Sequence, residues 1–563
     1  MTVRLTKLLA VSMAGALFAT TALAAAGPMI AIPGDPVATK SGKVAGTKLA
    51  SGVKAYLGIP FAKPPTGQLR WKPPQPMSWN GVWNADRKGP ECIQVLRPHD
   101  INHYFGEEAS GEDCLTLNIW APAAAKAGEP KSGRGRPVIV FIYGGGGTIG
   151  SSGMANYDGE NAAKRGAIFV NLNYRVGLMG FMAHPELTKE QGGHSGNYGY
   201  LDQSAALKWV HDNIAAFGGD PSKVVISGQS AGAGGVAAQI TSPLSKGLFR
   251  GGVMMSACNL GGSGIIAGGA SLADGEKIGL DVQKRLGAKD LAAMRNIPAD
   301  RILAQQAESQ VGANVQGVRT GAVIDGYFWK GTKAEAFASG QASDVPIIAS
   351  SNGDDIDAGN SPFTKTHTVA EYEAAARTAY GADADAFLKA FPVKTDSDVQ
   401  PMAHAAAMEN GMLASSRACG ETLAKYGKSA TYVAAFMRRH PYAPGLVLPD
   451  QDVPTVGAYH TADVPYWFDT LDRYNQFRTT RVPTAWDKQL TEQMLGALIA
   501  MAETGSPSTK AMPWPVWTAA DPRYLMLGDT VTTKPMDLKR MDWLAAHPIT
   551  RAGPPPQRTG PRD

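Results

Sequence analysis

The residues with the clearest potential for chemistry are Gly228-Gln229-Ser230-Ala231-Gly232, which match the pattern G-x-S-x-G. The pattern alone is weak evidence, because the chain contains 65 glycines and Ser230 could be one more serine among them. Its surroundings are more specific: the apolar run 224–227 predicts a buried strand, and the small residues that follow predict a helix start. A serine on a sharp strand-to-helix turn is typical of a nucleophile, so we predict that Ser230 is one.

A run of glycines, "YGGGGTIGSS", follows the apolar segment "PVIVFIY" at residues 137–143. Successive glycines allow backbone N–H groups to line a cavity, which is what an oxyanion hole requires. A flexible linker or a phosphate cradle is the alternative interpretation. The absence of a following Lys-Ser/Thr argues against a P-loop.

The elements around these motifs alternate between strands and helices. "AIFVNLNYR", "KVVIS", "VPIIAS" and "ATYVAAF" are apolar runs of strand length, and "YLDQSAALKWVHDNIAAF" has helical spacing. The alternation predicts an α/β fold with a large, mostly parallel central sheet flanked by helices. No composition shift divides the chain, so we expect one domain over residues 25–550.

The ends of the chain have compositions of their own. Residues 1–24 combine Arg4 and Lys7, an apolar run and an Ala-Leu-Ala site, which predicts a secretory signal peptide rather than a membrane anchor. We therefore expect an exported protein, periplasmic or secreted, with no membrane anchor after cleavage. The Pro-rich residues 551–563 predict a disordered tail. A formal net charge of +5 in 563 residues argues against a nucleic-acid partner.

Four cysteines in an exported chain indicate disulfides. Of the three possible pairings, the local one joins Cys92 to Cys114, and the sequence leaves open whether Cys258 pairs with Cys419. No C-x-x-C motif or Cys/His cluster suggests a metal site, and we expect no cofactor.

Long strings of this chain, in order, resemble the type B carboxylesterases, the α/β-hydrolases that include carboxylesterases and cholinesterases. The resemblance spans about residues 40–545 and rests on "YLGIPFAKPPTGQLRWKPPQP", "EDCLTLNIWAP", "FIYGGGGTIGSS", "GNYGYLDQSAALKWV", "VVISGQSAG" and "YHTADVPYWF". It implies a bacterial exported serine esterase that acts on a small-molecule ester. The site residues implied by the resemblance are Ser230 as nucleophile, Asp355 as acid, His460 as base, and Gly145, Gly146 and Ala231 as oxyanion donors.

Two of these roles depend on the resemblance. Five histidines follow Ser230, and only the apolar, strand-like "VPYWF" behind His460 favours it. Asp354 and Asp357 stand beside Asp355, where the family more often has Glu. A solvated turn or a calcium loop is the alternative for "GDDIDAG", although the terminal Glu of an EF-hand is missing. The resemblance also implies a structural pair between Arg70 and Glu112.

The chain departs from the family pattern at three points. Gln229 replaces the usual Glu, the segment 92–114 contains no Trp, and Gly147 replaces a bulky residue. The first two argue against a choline ester, although Gln229 could also be a neutral substitute without effect on substrate choice. A narrow-specificity enzyme such as a fumonisin-type esterase, and a non-catalytic neuroligin-like binding homologue, are the two alternative functions. The sequence does not determine the oligomeric state.

Overall fold

A computed structural model of the chain describes residues 30–95, 109–123, 135–258, 260, 269–306, 317–448 and 451–549. The signal peptide and the tail expected from the sequence lie outside these residues. Within them, no helix is both long and apolar enough to cross a membrane.

Besides three small sheets of two or three strands, the described residues form a central sheet of eleven strands. In chain order they are β1 (Thr47–Lys48), β2 (Lys54–Pro60), β3 (Thr116–Ala121), β4 (Arg136–Ile142), β5 (Ile168–Leu172), β6 (Gly219–Gln229), β7 (Gly251–Met255), β8 (Ile347–Asn352), β9 (Thr431–Phe436), β10 (Arg523–Leu527) and β11 (Val531–Pro535). Across the sheet they lie in the order β11-β10-β9-β8-β7-β6-β4-β5-β3-β2-β1.

Strands β4 to β10 are mutually parallel wherever they pair, and the outer strands run antiparallel to their neighbours. The sheet is therefore mostly parallel, as the sequence predicted. The parallel strands are apolar because both of their faces are covered. Residues 138–142 of β4 and 224–226 of β6, for example, are at most 1% exposed.

Helices flank this sheet. They are α1 (Glu160–Lys164), α2 (Gly177–Phe181), α3 (Pro185–Glu190), α4 (Tyr198–Asn213), α5 (Ala231–Thr241), α6 (Leu272–Arg285), α7 (Leu291–Arg295), α8 (Ala299–Leu303), α9 (Lys333–Ala338), α10 (Ile356–Asn360), α11 (Val369–Tyr380), α12 (Ala384–Ala390), α13 (Asp396–Asn410), α14 (Met412–Tyr426), α15 (Val464–Phe468), α16 (Ala485–Thr504) and α17 (Leu538–Ala546). Helix α5 packs against β6 and β7, α16 against β4 and β6, and α14 against β8 and β9.

Two disulfides connect the elements. Cys92 is bonded to Cys114, as expected, and Cys258 is bonded to Cys419, the pairing that the sequence left open. The second bond joins the segment after β7 to helix α14. Beside the first, Arg70 forms a bidentate pair with Glu112, with Nε–Oε1 and Nη2–Oε2 distances of 2.7 and 2.6 Å.

The segment "VPYWF" differs from its strand-like expectation and forms the single-turn helix α15. Pro465 explains the difference, because it has no N–H for a strand ladder and is well tolerated in the first turn of a helix. The five residues of α15 are nevertheless buried, so the segment anchors the preceding loop as expected.

Candidate active site

Ser230 lies on a sharp turn between strand β6 and helix α5. Its backbone has φ 55° and ψ −122°, a conformation that residues other than glycine rarely adopt. The backbone N–H of Ser230 donates to the carbonyl of Met255 (2.8 Å), and its own carbonyl accepts from Gly234 N–H (3.0 Å). The side chain is only half-buried, so the turn holds the hydroxyl at the carboxyl end of the parallel strands.

The glycines around Ser230 are required by close backbone packing. A Cβ on Gly232 would overlap the carbonyl oxygen of Ile142, and a Cβ on Gly228 would overlap that of Gly232. These contacts bring the end of β4 against the start of α5. The G-x-S-x-G pattern therefore has a steric cause in this fold.

The glycine loop after β4 lies beside the serine. A Cβ on Gly144 would sit 2.5 Å from the backbone oxygen of Gln229 and 3.0 Å from the Cβ of Ser230, so only a glycine permits this approach. Gly145, Gly146 and Gly147 follow with φ of 115°, 66° and 72°. Within the described residues, the backbone N–H groups of Gly145, Gly146 and Ala231 make no hydrogen bond, which leaves them free to bind an oxyanion.

Asp355 and His460 form a direct pair. The Nδ1 atom of His460 lies 2.5 Å from Oδ1 of Asp355, which also accepts from Ile356 N–H at 2.7 Å. Asp355 follows β8 and caps helix α10, and its side chain is fully buried. Because Nδ1 donates to the carboxylate, Nε2 is the acceptor of the neutral ring, and this buried Nε2 has no hydrogen-bond partner among the described residues.

Two opposing influences act on the pKa of His460. Burial lowers it, whereas the charge and hydrogen bond of Asp355 raise it, with further contributions from Asp463 and Asp357. The carboxylates prevail, and the pKa of the imidazole lies above its usual 6.5.

The neighbouring acids make other contacts. Asp354 forms an ion pair with His404, and Asp357 accepts from Met412 N–H at 2.8 Å. Burial raises the pKa of Asp357 to about 6. Of the three adjacent candidates, the structure therefore brings only Asp355 into contact with His460.

Of the other histidines after Ser230, His404 pairs with Asp354, whereas His440 and His547 form no ion pair with a carboxylate among the described residues. His440 is buried and lies within hydrogen-bond distance of the carbonyl of Ala462 and of Arg481, and burial lowers its pKa to about 3. His547 contacts the carbonyl of Trp543, on the last helix.

Sequence reasoning missed a set of buried polar residues behind His460. They are Ser256, Asn352 and Asp463, and each is at most 1% exposed. Asp463 accepts from Asn352 Nδ2 (3.2 Å) and Trp467 Nε1 (3.1 Å), and burial raises its pKa to about 6. The available signal was a polar residue at the carboxyl end of an apolar strand. Such residues can be assigned to one site only once the order of the strands in the sheet is known.

Gln229 also contributes to this set. Its side chain is 1% exposed, and its Nε2 donates to the carbonyl oxygen of His460 at 2.9 Å. The residue that precedes the serine thus contacts the backbone of the histidine, which places the segment that carries His460 next to the turn.

Known proteins resemble this chain over most of its length. A family model described as "Carboxylesterase family" matches residues 34–543. The para-nitrobenzyl esterase of Bacillus subtilis is 30% identical over 506 residues, which cover 88% of this chain and 95% of that protein. A thermophilic PNB esterase structure superposes with a TM-score of 0.69 at 28% identity, covering 90% of this chain and 99% of that one.

A fumonisin B1 esterase of Sphingopyxis macrogoltabida is 39% identical over 371 residues. This alignment covers 64% of the present chain and 63% of the relative, so it spans less than two thirds of that protein.

Proposed function

Because the chain belongs to the carboxylesterase family and is a carboxylic ester hydrolase, we propose that it works through an acyl-enzyme on Ser230, with His460 as base and Asp355 as the acid that orients it. The oxyanion donors in this proposal are the N–H groups of Gly145, Gly146 and Ala231. The substrate is a small-molecule ester.

The proposed reaction has two halves. Nε2 of His460 takes the hydroxyl proton as Oγ of Ser230 forms a bond to the ester carbonyl carbon, and the carbonyl oxygen becomes an oxyanion bound by backbone N–H groups. The C–O bond to the leaving group then breaks, and His460 returns the proton to the departing alkoxide. Water repeats the sequence on the acyl-enzyme and releases the acid.

The observation that carries the proposal is the contact between Asp355 and His460. A carboxylate 2.5 Å from Nδ1 fixes the tautomer in which Nε2 can accept a proton. The same carboxylate stabilises the imidazolium that forms when the serine is deprotonated. Gln229 joins this pair to the turn that carries Ser230.

A serine-reactive phosphonate tests the proposal against a non-catalytic, neuroligin-like function. We expect one equivalent to bind covalently at Ser230 with parallel loss of esterase activity, because only an activated hydroxyl attacks phosphorus quickly. Mass spectrometry of the labelled peptide identifies the site, and Ser230→Ala is the matched control. Folded protein that takes up no label at Ser230 would favour a binding role instead.

The pH dependence of kcat/KM should report the protonation of His460. Catalysis needs the neutral ring, so kcat/KM should fall as the pH drops through the pKa of His460. Since carboxylates raise this pKa above 6.5, we expect the midpoint of the acid limb above pH 6.5. An ester assay at constant ionic strength measures it. A midpoint clearly below 6.5 would contradict the assigned base or the effect of its carboxylates.

A second candidate within the same chemistry is a narrow-specificity esterase. The 39% identity to the fumonisin B1 esterase over the 371 aligned residues favours it. A panel of esters that differ in acyl size and acyl charge separates a broad enzyme from a narrow one.

We further propose that the enzyme is exported as a single domain. Two disulfides among the described residues favour an oxidising compartment, because cytosolic thiols are kept reduced. A periplasmic or secreted location and removal of residues 1–24 are parts of this proposal.

A further inference from the structure

Three side chains donate to a single backbone oxygen, the carbonyl of His460. The donors are Gln229 Nε2 at 2.9 Å, Asn352 Nδ2 at 2.9 Å and Ser256 Oγ at 3.1 Å. All three side chains are at most 1% exposed. A carbonyl has only two lone pairs, so three buried donors around it restrict its position strongly.

The three donors come from adjacent strands of the sheet. Gln229 ends β6, Ser256 directly follows β7, and Asn352 ends β8. The backbone of His460 is therefore docked onto the carboxyl ends of the strands that also carry Ser230 and lead to Asp355. Through this arrangement, the rigid sheet sets the position of the histidine.

The three donors are not equivalent. Asn352 Nδ2 also contacts the carbonyl of Tyr459 (3.0 Å) and Asp463 Oδ1 (3.2 Å), so its two hydrogens are shared among several acceptors. Gln229 Nε2 donates to the His460 carbonyl, and a Cβ on Gly144 would lie 2.8 Å from its Oε1. Gln229 thus lies between the glycine loop and the segment that carries His460, one residue before the serine.

We propose that Gln229 is a positioning residue, whose side-chain amide holds the backbone of His460 in register with Ser230. The inference rests on the proposed roles of Ser230 and His460, and it assigns to Gln229 a task distinct from contact with the substrate. A misplaced imidazole lowers the rate of proton transfer without weakening ester binding.

Charge explains why a neutral amide suits this position. An ionised Glu has no hydrogen to donate, so its oxygens would face the His460 carbonyl without a bond. It would also add a carboxylate to a region that already holds Asp355 and Asp463, both at most 1% exposed. The amide keeps the donor and avoids the additional negative charge.

The test compares Gln229→Met with Gln239→Met. Gln239 is an equally buried glutamine in α5 whose side chain bonds Ser204 and the carbonyl of Tyr200, and it serves as the control for lost buried hydrogen bonds. We expect Gln229→Met to lower kcat about tenfold, the equivalent of about 1.4 kcal/mol, with KM within about twofold. Gln239→Met should lower the melting temperature and keep kcat.

Gln229→Glu provides a second variant in case Gln229→Met does not fold. Its kcat should also fall, and the acid limb of kcat/KM should move to higher pH because an added carboxylate stabilises the imidazolium. Either Gln229 variant with kcat within about twofold of the wild type, or a loss in Gln239→Met as large as in Gln229→Met, overturns the inference. Ser230→Ala is assayed in parallel, because activity remaining there would refute the proposed function itself.

Discussion

Replacing Ser230 with alanine should lower kcat for ester hydrolysis by about 10⁶-fold and leave the protein folded. The hydroxyl oxygen is the atom that becomes acylated in the proposed reaction, and alanine has no nucleophilic atom in its place. Binding and the oxyanion donors remain in the variant, so hydrolysis above the uncatalysed rate should persist at a low level.

The fold should tolerate this change. The bonds that hold the turn are made by the Ser230 backbone, to the Met255 carbonyl and from Gly234 N–H, and alanine retains both. Ser227→Ala is the matched control, because it removes the hydroxyl of a serine in β6, three residues before Ser230. That hydroxyl donates to the Val140 carbonyl at 3.1 Å. Kinetics on an aryl ester, together with thermal unfolding, separate the two variants. Full activity in Ser230→Ala would refute the assignment of Ser230 as the nucleophile.

The parts of the fold that the sequence predicted are those set by local pattern. Apolar runs of strand length became β4, β5, β6, β8 and β9, because a strand buried on both faces is mostly apolar. The segment "VPYWF" shows the limit of that rule. Its apolar content predicted burial correctly, but Pro465 favours a helix over a strand.

The site was predicted to a different extent at each residue. Ser230 followed from strand, turn and glycine spacing, whose steric basis is the contact between Gly232 and the Ile142 carbonyl. Asp355 could be chosen over Asp354 only through the resemblance. Both residues are aspartates, and the sequence does not show in which direction each side chain points. The bond between Cys258 and Cys419 spans 161 residues, and it follows from how α14 packs on the sheet.

The polar residues behind His460 escaped prediction for a related reason. Asn352 and Ser256 lie at the ends of β8 and β7, far apart in the chain, and they converge only because those strands are neighbours. Gln229 was identified in the sequence as a departure from the family pattern. Its contact with the His460 carbonyl supports a positioning role. Such a role is compatible with the interpretation that Gln229 has no effect on substrate choice.

Asp355→Asn should lower kcat by about 10⁴-fold, whereas Asp354→Asn should leave kcat nearly unchanged. An amide at position 355 can donate to Nδ1, which favours the tautomer with hydrogen on Nε2, and that ring cannot accept a proton from Ser230. The amide also fails to stabilise the imidazolium. Asp354 is instead paired with His404, and both side chains are about a quarter exposed, so losing that pair should cost roughly 0–1 kcal/mol of stability.

Each variant removes one carboxylate, and the two positions are adjacent, so both lose the same charge from the same segment. A difference in kcat between them therefore reports the direction of the side chain. Kinetics on one ester, with unfolding curves for both proteins, measure the contrast. Equal losses of kcat would mean that the negative charge of the segment matters and the 2.5 Å contact with His460 does not. A loss confined to Asp354→Asn would transfer the role of the acid to Asp354, whose side chain pairs with His404.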